Sequence, residues 1–136
     1  MTLKSDKDDF LIKDKKSLWY NKNLYELYNQ ASLPLKWYKE IFNKAKKNNI
    51  LCFSTPFDDT AVDFLEELNV PAYKIGSGEC NNYPLLRHIA AFQKPVILST
   101  GMNDVNSVKK AVSIFRGSGR EGRVFAGTQP RISPHV

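Results

Sequence analysis

Three short polar clusters carry the residue types that could do chemistry. They are Ser54-Thr55-Pro56-Phe57, Lys74-Ile75-Gly76-Ser77-Gly78-Glu79 and Ser99-Thr100-Gly101-Met102. Each combines hydroxyls or glycines with a preceding apolar run, and the serines Ser54, Ser77 and Ser99 recur at nearly equal spacing. Hydroxyls, glycine-flanked N–H groups and one lysine suit a phosphate or a carboxylate, because glycine lets the backbone approach an anion closely. Lys74 stands within an otherwise apolar run, where an unpaired ammonium is costly. Three roles are open to it: a Schiff-base nucleophile, a charge that holds a phosphate, or a structural partner of Glu79. Glu79 is either a general acid/base or that lysine's counter-ion. Asp58, Asp59 and Asp63 read as helix caps and surface charges, and His88 as a surface residue.

The elements that must position these clusters follow from periodicity. Residues 1–30 are polar with scattered aromatics and read as a loop with a helical turn near Leu24–Asn29. Pro34 then opens an amphipathic helix to about Lys47, with Trp37, Ile41 and Ala45 on its apolar face. Ile50–Ser54 is nearly all apolar, as expected of a strand covered on both faces. The unit repeats. Asp58, Asp59 or Thr60 caps a helix with Ala61, Phe64, Leu65 and Leu68 in its stripe. Ala72–Ile75 is a second strand, followed by a helix opened by Asn81 or Asn82 and carrying Leu85, Leu86, Ile89 and Ala90. Pro95–Leu98 is a third, followed by a helix capped by Asn103 or Asp104 with Val105, Val108, Val112 and Phe115. Alternating strands and helices predict an α/β fold with a parallel sheet. In such folds the carboxyl ends of the strands face the ligand, so all three clusters lie on the edge where the following helix dipoles also favour an anion.

Composition narrows the class. A chain that is 42% apolar and 25% charged is an ordinary globular sequence. No run approaches the roughly 20 apolar residues that span a bilayer, nor is there a signal-peptide core, which makes the cytoplasm the expected location and a membrane partner unexpected. Cys52 and Cys80 are too few for a disulfide framework or a zinc site and read as buried thiols. The net charge of +6 comes from short lysine runs such as Lys13–Lys16 and Lys44–Lys47, which read as solvated faces. No basic-aromatic module accompanies them, so nucleic acid is not an expected partner. Every lysine lies at or before Lys110, whereas Arg116, Arg120, Arg123 and Arg131 crowd the end. That switch marks 117–136 as an atypical tail, frame-shifted or disordered.

The clusters also carry a resemblance. Phe53–Asp58, Pro71–Glu79 and Lys94–Met102 together resemble the sialic acid synthase family, which makes N-acetylneuraminate, legionaminate and pseudaminate. Leu24–Tyr28 with Ala31 and Pro34 is more similar to the pseudaminate branch, and Gly76–Leu85 to the N-acetylneuraminate branch. The resemblance implies an incomplete (β/α)8 TIM barrel over 1–116, about three consecutive parallel βα units of the eight that a closed barrel needs. It implies condensation of phosphoenolpyruvate with an N-acetylated amino sugar such as N-acetylmannosamine. Under it, Lys74, Ser77 and Ser99 hold the phosphate and carboxylate, Thr55 lines the same pocket, and Glu79 is the acid/base. A divalent metal, manganese or magnesium, and a homodimer belong to the complete family enzyme. The chain is expected to start after the family's first two strands and to stop before its metal-binding histidines. By itself it is then expected to be inactive; the alternative is a non-catalytic assembly module that complements a separately encoded barrel remainder.

Overall fold

The computed structural model describes residues 6–117 and 124–127. The chain divides into two compact units, Met1–Asn43 and Lys44–Val136.

The first unit holds a 3₁₀ turn at Asp8–Phe10, helix α1 (Leu24–Ala31) and most of helix α2 (Leu35–Lys47). α1 is a full helix rather than the single turn expected from sequence. The reason is Asn23, whose Oδ1 accepts from the Tyr25 N–H at 2.8 Å as an N-cap. Its Nδ2 donates to the carbonyls of Asp6 and Lys7, and Asn23 pairs antiparallel with Leu11. Asn23 is the one buried residue described in this unit. The amphipathic helix expected over 34–47 forms as α2, but Trp37 and Ile41 of its apolar face are exposed, and no α2 residue is buried.

In the second unit, helix α3 (Asp59–Glu67), strand β1 (Tyr73–Ile75), helix α4 (Tyr83–Ala91), strand β2 (Val96–Ser99), helix α5 (Val105–Arg116) and strand β3 (Val124–Gly127) alternate. The sheet order is β1-β2-β3, all parallel, with Lys74 opposite Ile97 and Ser99 opposite Gly127. The α/β class and parallel sheet are therefore as expected, but the three strands are a shifted set. Ile50–Ser54 is not a strand. It touches the sheet at one bridge, Ser54 to Tyr73, supported by a 3.2 Å bond from the Lys74 N–H to the Ser54 carbonyl. Leu51 is 79% exposed and Phe53 39%, so this run is not covered on both faces: β1 spans only three residues, and no described strand flanks the run on its other side. Val124–Gly127, a poor strand by composition, supplies the third strand instead. The rest of the tail lies outside the described residues.

Strand alternation sends Tyr73, Ile75, Val96 and Leu98 to one face, where all are buried. Helices α3, α4 and α5 pack side by side, α3 is tied to that face through the Tyr73 hydroxyl, and together they bury Val62, Leu65, Leu85, Leu86, Ile89, Ala90, Ala111 and Phe115. The α4 stripe is the expected one. In α3 the buried pair is Val62 and Leu65, with Ala61, Phe64 and Leu68 half-buried. In α5, Val105 is exposed and Val108 and Val112 half-buried, because no described helix packs beyond it. These valines line an open groove with Thr100, Lys109 and Arg116. The opposite sheet face, bearing Lys74, Ile97 and Ser99, is only half-buried. No helix among the described residues is long and apolar enough to cross a membrane.

Candidate functional site

At the carboxyl ends of β1 and β2 the chain leaves the sheet through two short loops. After β1, Ser77–Glu79 forms a 3₁₀ turn closed by bonds from the Glu79 N–H to Gly76 and the Cys80 N–H to Ser77. Among the described residues the N–H groups of Ser77 and Gly78 reach no acceptor. After β2, the Asn103 N–H closes a turn onto the Thr100 carbonyl at 3.3 Å. Met102 within that turn has φ 61°, a left-handed conformation that a β-carbon disfavours.

The loops are tied together. The Asn103 Nδ2 donates to the Ser77 carbonyl at 2.8 Å and to the Gly101 carbonyl at 2.9 Å. A β-carbon on Gly101 would sit 3.8 Å from both Cβ and Oγ of Ser77, so the loops touch along this line. The first cluster reaches the same edge, since a β-carbon on Gly76 would lie 3.9 Å from the Phe57 ring. Of the residues singled out from sequence, Lys74 and Ser99 share the open sheet face by register, and Ser77 lies at the loop contact. Thr55 follows the Ser54 bridge to β1. All four side chains are half-buried, positions from which a ligand can be met.

Glu79 is not held by Lys74. Its Oε2 accepts from the Asn82 Nδ2 at 2.8 Å, and among the described residues Lys74 makes no ion pair. Asn82 has a second task, because its Oδ1 accepts from the Leu85 N–H and caps α4. Sequence reasoning placed Asn82 and Asn103 only as alternative helix caps. The cap of α5 is Asp104 and that of α3 is Asp58, which leaves the Asn103 amide free to bridge loops. The Asn-Asp pair at 103–104 offered two equivalent caps, and only the packed loop after β1 distinguishes them.

Electrostatics changes one expectation. The first turns of α3 and α5 already face the carboxylates of Asp58 and Asp104, so their dipoles are answered from within the chain. Backbone and side-chain bonds from Ser107 hold the Asp104 carboxyl below the usual carboxylate range. Burial, followed by the Asp104 charge, pushes the Cys80 thiol up. Cys52 is half-buried, and both thiols are free.

A divalent metal does not fit the residues described. No group of three or more His, Cys, Asp or Glu side chains among them could hold one. His88, the histidine among them, sits on α4 with its Nε2 2.7 Å from Asp63 and its Nδ1 3.8 Å from Asp59, joining two helix surfaces. The aspartates thus serve as cap and surface charges.

Comparison with known proteins gives a consistent picture. The NeuB family matches residues 1–126. A pseudaminic acid synthase of Helicobacter pylori is 44% identical over 116 residues, covering 85% of this chain and 34% of the relative. An N,N'-diacetyllegionaminic acid synthase of Campylobacter jejuni is 42% identical over 94 residues, covering 69% of this chain and 28% of the relative. The crystal structure of an N-acetylneuraminic acid synthetase from Leptospira borgpetersenii, in complex with citrate, superposes with a TM-score of 0.69 at 31% identity, over 75% of this chain and 35% of that one. The fold of such neighbours is of the TIM-barrel type. The chain spans about a third of the length of the curated relatives it matches.

Proposed function

This chain belongs to the NeuB family of sialic acid synthases, and from that premise we propose that it carries the phosphoenolpyruvate-binding edge of such an enzyme. The observation that supports this reading is the meeting of the loops after β1 and β2. The N–H groups of Ser77 and Gly78 there reach no acceptor among the described residues, and the Ser77 hydroxyl lies at the loop contact. Lys74 and Ser99 share the open face below them.

In this reading the Lys74 ammonium and the hydroxyls of Ser77 and Ser99 hold the phosphate and carboxylate of phosphoenolpyruvate, and Thr55 lines the pocket. With no carboxylate paired to it among the described residues, the Lys74 side chain can give its N–H bonds to the ligand. Glu79, oriented by Asn82, moves the proton. The methylene carbon of phosphoenolpyruvate bonds to the aldehyde carbon of an N-acetylated amino sugar, water adds at the neighbouring carbon, and phosphate leaves by cleavage of its bond to that carbon. The names of the relatives, synthases of pseudaminic and diacetyllegionaminic acids, support an amino sugar of that kind.

The parallel sheet with helices over one face is a segment of a TIM barrel. The half-buried face of Lys74, Ile97 and Ser99 is the one that would point inward. No step is assigned to a metal, because the described residues do not offer its ligands. In this reading the 136-residue chain alone binds phosphoenolpyruvate without turning it over, because the described residues form three parallel strands where a closed barrel has eight. The test is calorimetric titration of phosphoenolpyruvate into the chain and into Lys74→Ala, with a condensation assay alongside. Binding that weakens at least tenfold in the variant, about 1.4 kcal/mol, is expected; equal affinity in both would sink the assignment. Turnover by the chain alone would overturn the inactive-segment part.

A further inference from the structure

We propose that Asn103 is a positioning residue that sets the separation of the two anion-binding loops; this rests on the phosphoenolpyruvate reading above. A primary amide has two N–H bonds, and here each is spent on a carbonyl of a different loop, Ser77 after β1 and Gly101 after β2. Both acceptors are carbonyl oxygens, which fixes the amide nitrogen as the end that faces them. The Asn103 backbone simultaneously closes the Thr100–Asn103 turn. That turn holds Met102 in the left-handed region, with its side chain 92% exposed. A non-glycine residue stays there only where its surroundings over-determine it, and no buried contact of Met102 does so. The closed turn and the amide clamp are what remain.

The consequence concerns the ligand. The Ser77 hydroxyl and the Ser77 and Gly78 N–H groups sit on one loop, and the Thr100 hydroxyl opens the other, directly after Ser99 at the end of β2. An anion that takes donors from both needs them at a fixed distance before it arrives, since ordering loops on binding weakens affinity. Asn103 supplies that order without touching the ligand. Aspartate at this position keeps the shape but has no donor, and its charge would face two carbonyl oxygens.

The experiment uses the full 136-residue chain labelled with ¹⁵N, as wild type, Asn103→Ala and Asn103→Asp. Without ligand, backbone order parameters at Ser77–Glu79 and Gly101–Met102 are expected to fall from about 0.85 toward 0.6 in both variants, while Val96–Leu98 stay rigid. Phosphoenolpyruvate, followed by amide shifts at Ser77 and Gly78, is expected to bind about tenfold more weakly to Asn103→Ala. Loops as rigid in the variants as in the wild type overturn the inference. So do loosened loops with unchanged affinity, which would make the clamp merely structural. A wild-type chain that ignores phosphoenolpyruvate removes the anion-site reading instead. The ligand-free relaxation then decides the clamp alone, and rigid variant loops count against it. If Asn103→Ala fails to fold, the near-isosteric Asn103→Asp carries both measurements.

Discussion

The two units use similar residues to opposite ends. Met1–Asn43 contains Leu18, Trp19, Tyr20, Leu33, Leu35, Trp37 and Ile41, all exposed, and the single buried residue among those described in it is the polar Asn23. Lys44–Val136 holds every buried hydrophobic residue described, from Val62 to Phe115. Apolar content alone does not make a core. Burial needs a second apolar surface, and in the second unit the sheet face of Tyr73, Ile75, Val96 and Leu98 provides it. The first unit is organised by hydrogen bonds converging on one asparagine.

The contrast breaks most visibly at Leu86, fully buried under the sheet, against Leu18, 94% exposed. Leu86→Ala is expected to cost about 2–5 kcal/mol by lost burial and a cavity, and Leu18→Ala less than about 0.5 kcal/mol. Urea unfolding of the two variants checks this, and equal midpoints would erase the distinction. In the first unit the sensitive position is Asn23 instead. Asn23→Ala removes a helix cap and two further bonds, an expected loss of about 1–2 kcal/mol. Its local character should appear as faster hydrogen exchange in α1 with the α4 amides unaltered.

A smaller effect sharpens what holds the second unit. The Tyr73 hydroxyl donates to Glu66 at 2.8 Å, and Lys94 meets the other oxygen of that carboxylate at 2.8 Å. Burial first, and Glu66 second, raise the Tyr73 hydroxyl well above the ordinary tyrosine range. An acid whose folded pKa is raised contributes stability that is complete below its unfolded pKa, about 10, and lost as pH rises through the folded value. Stability should therefore decline above about pH 10, and Tyr73→Phe should flatten that decline while costing about 1 kcal/mol at neutral pH. Thermal melts across alkaline pH report it. The smallest change is expected at Met102→Gly. Relief of left-handed strain, about 1–2 kcal/mol, opposes glycine's added chain entropy, about 0.5–1 kcal/mol. Their central values leave a net stabilisation of about 0.7 kcal/mol, read by the same melts.

Much of the second unit was legible in sequence because its signals are local. Leu85, Leu86, Ile89 and Ala90 lie on one side of a helix whatever else the chain does, and Asp58, Asn82 and Asp104 cap from positions that need only their own helix. Strand identity was less legible. Ile50–Ser54 has the better strand composition and Val124–Gly127 the poorer, yet the second is paired along its length and the first at one residue. Strand formation depends on a neighbour's open backbone, which composition does not encode. The site divides in the same way. The serines, Lys74 and Glu79 stand out in the sequence by type and spacing, whereas Asn103 and Asn82 read there only as candidate helix caps.

By itself, then, the order of residues determined the parallel α/β class, the helices that follow the polar clusters and the edge that carries those clusters, because periodicity and residue type act over a few neighbours. Only the tertiary structure decided that Lys74 stands apart from Glu79, that Asn82 takes the glutamate, and that one asparagine amide joins the loops after β1 and β2. Those are contacts between side chains and backbone brought together by parallel pairing and loop packing, and a one-dimensional pattern does not rank such partners.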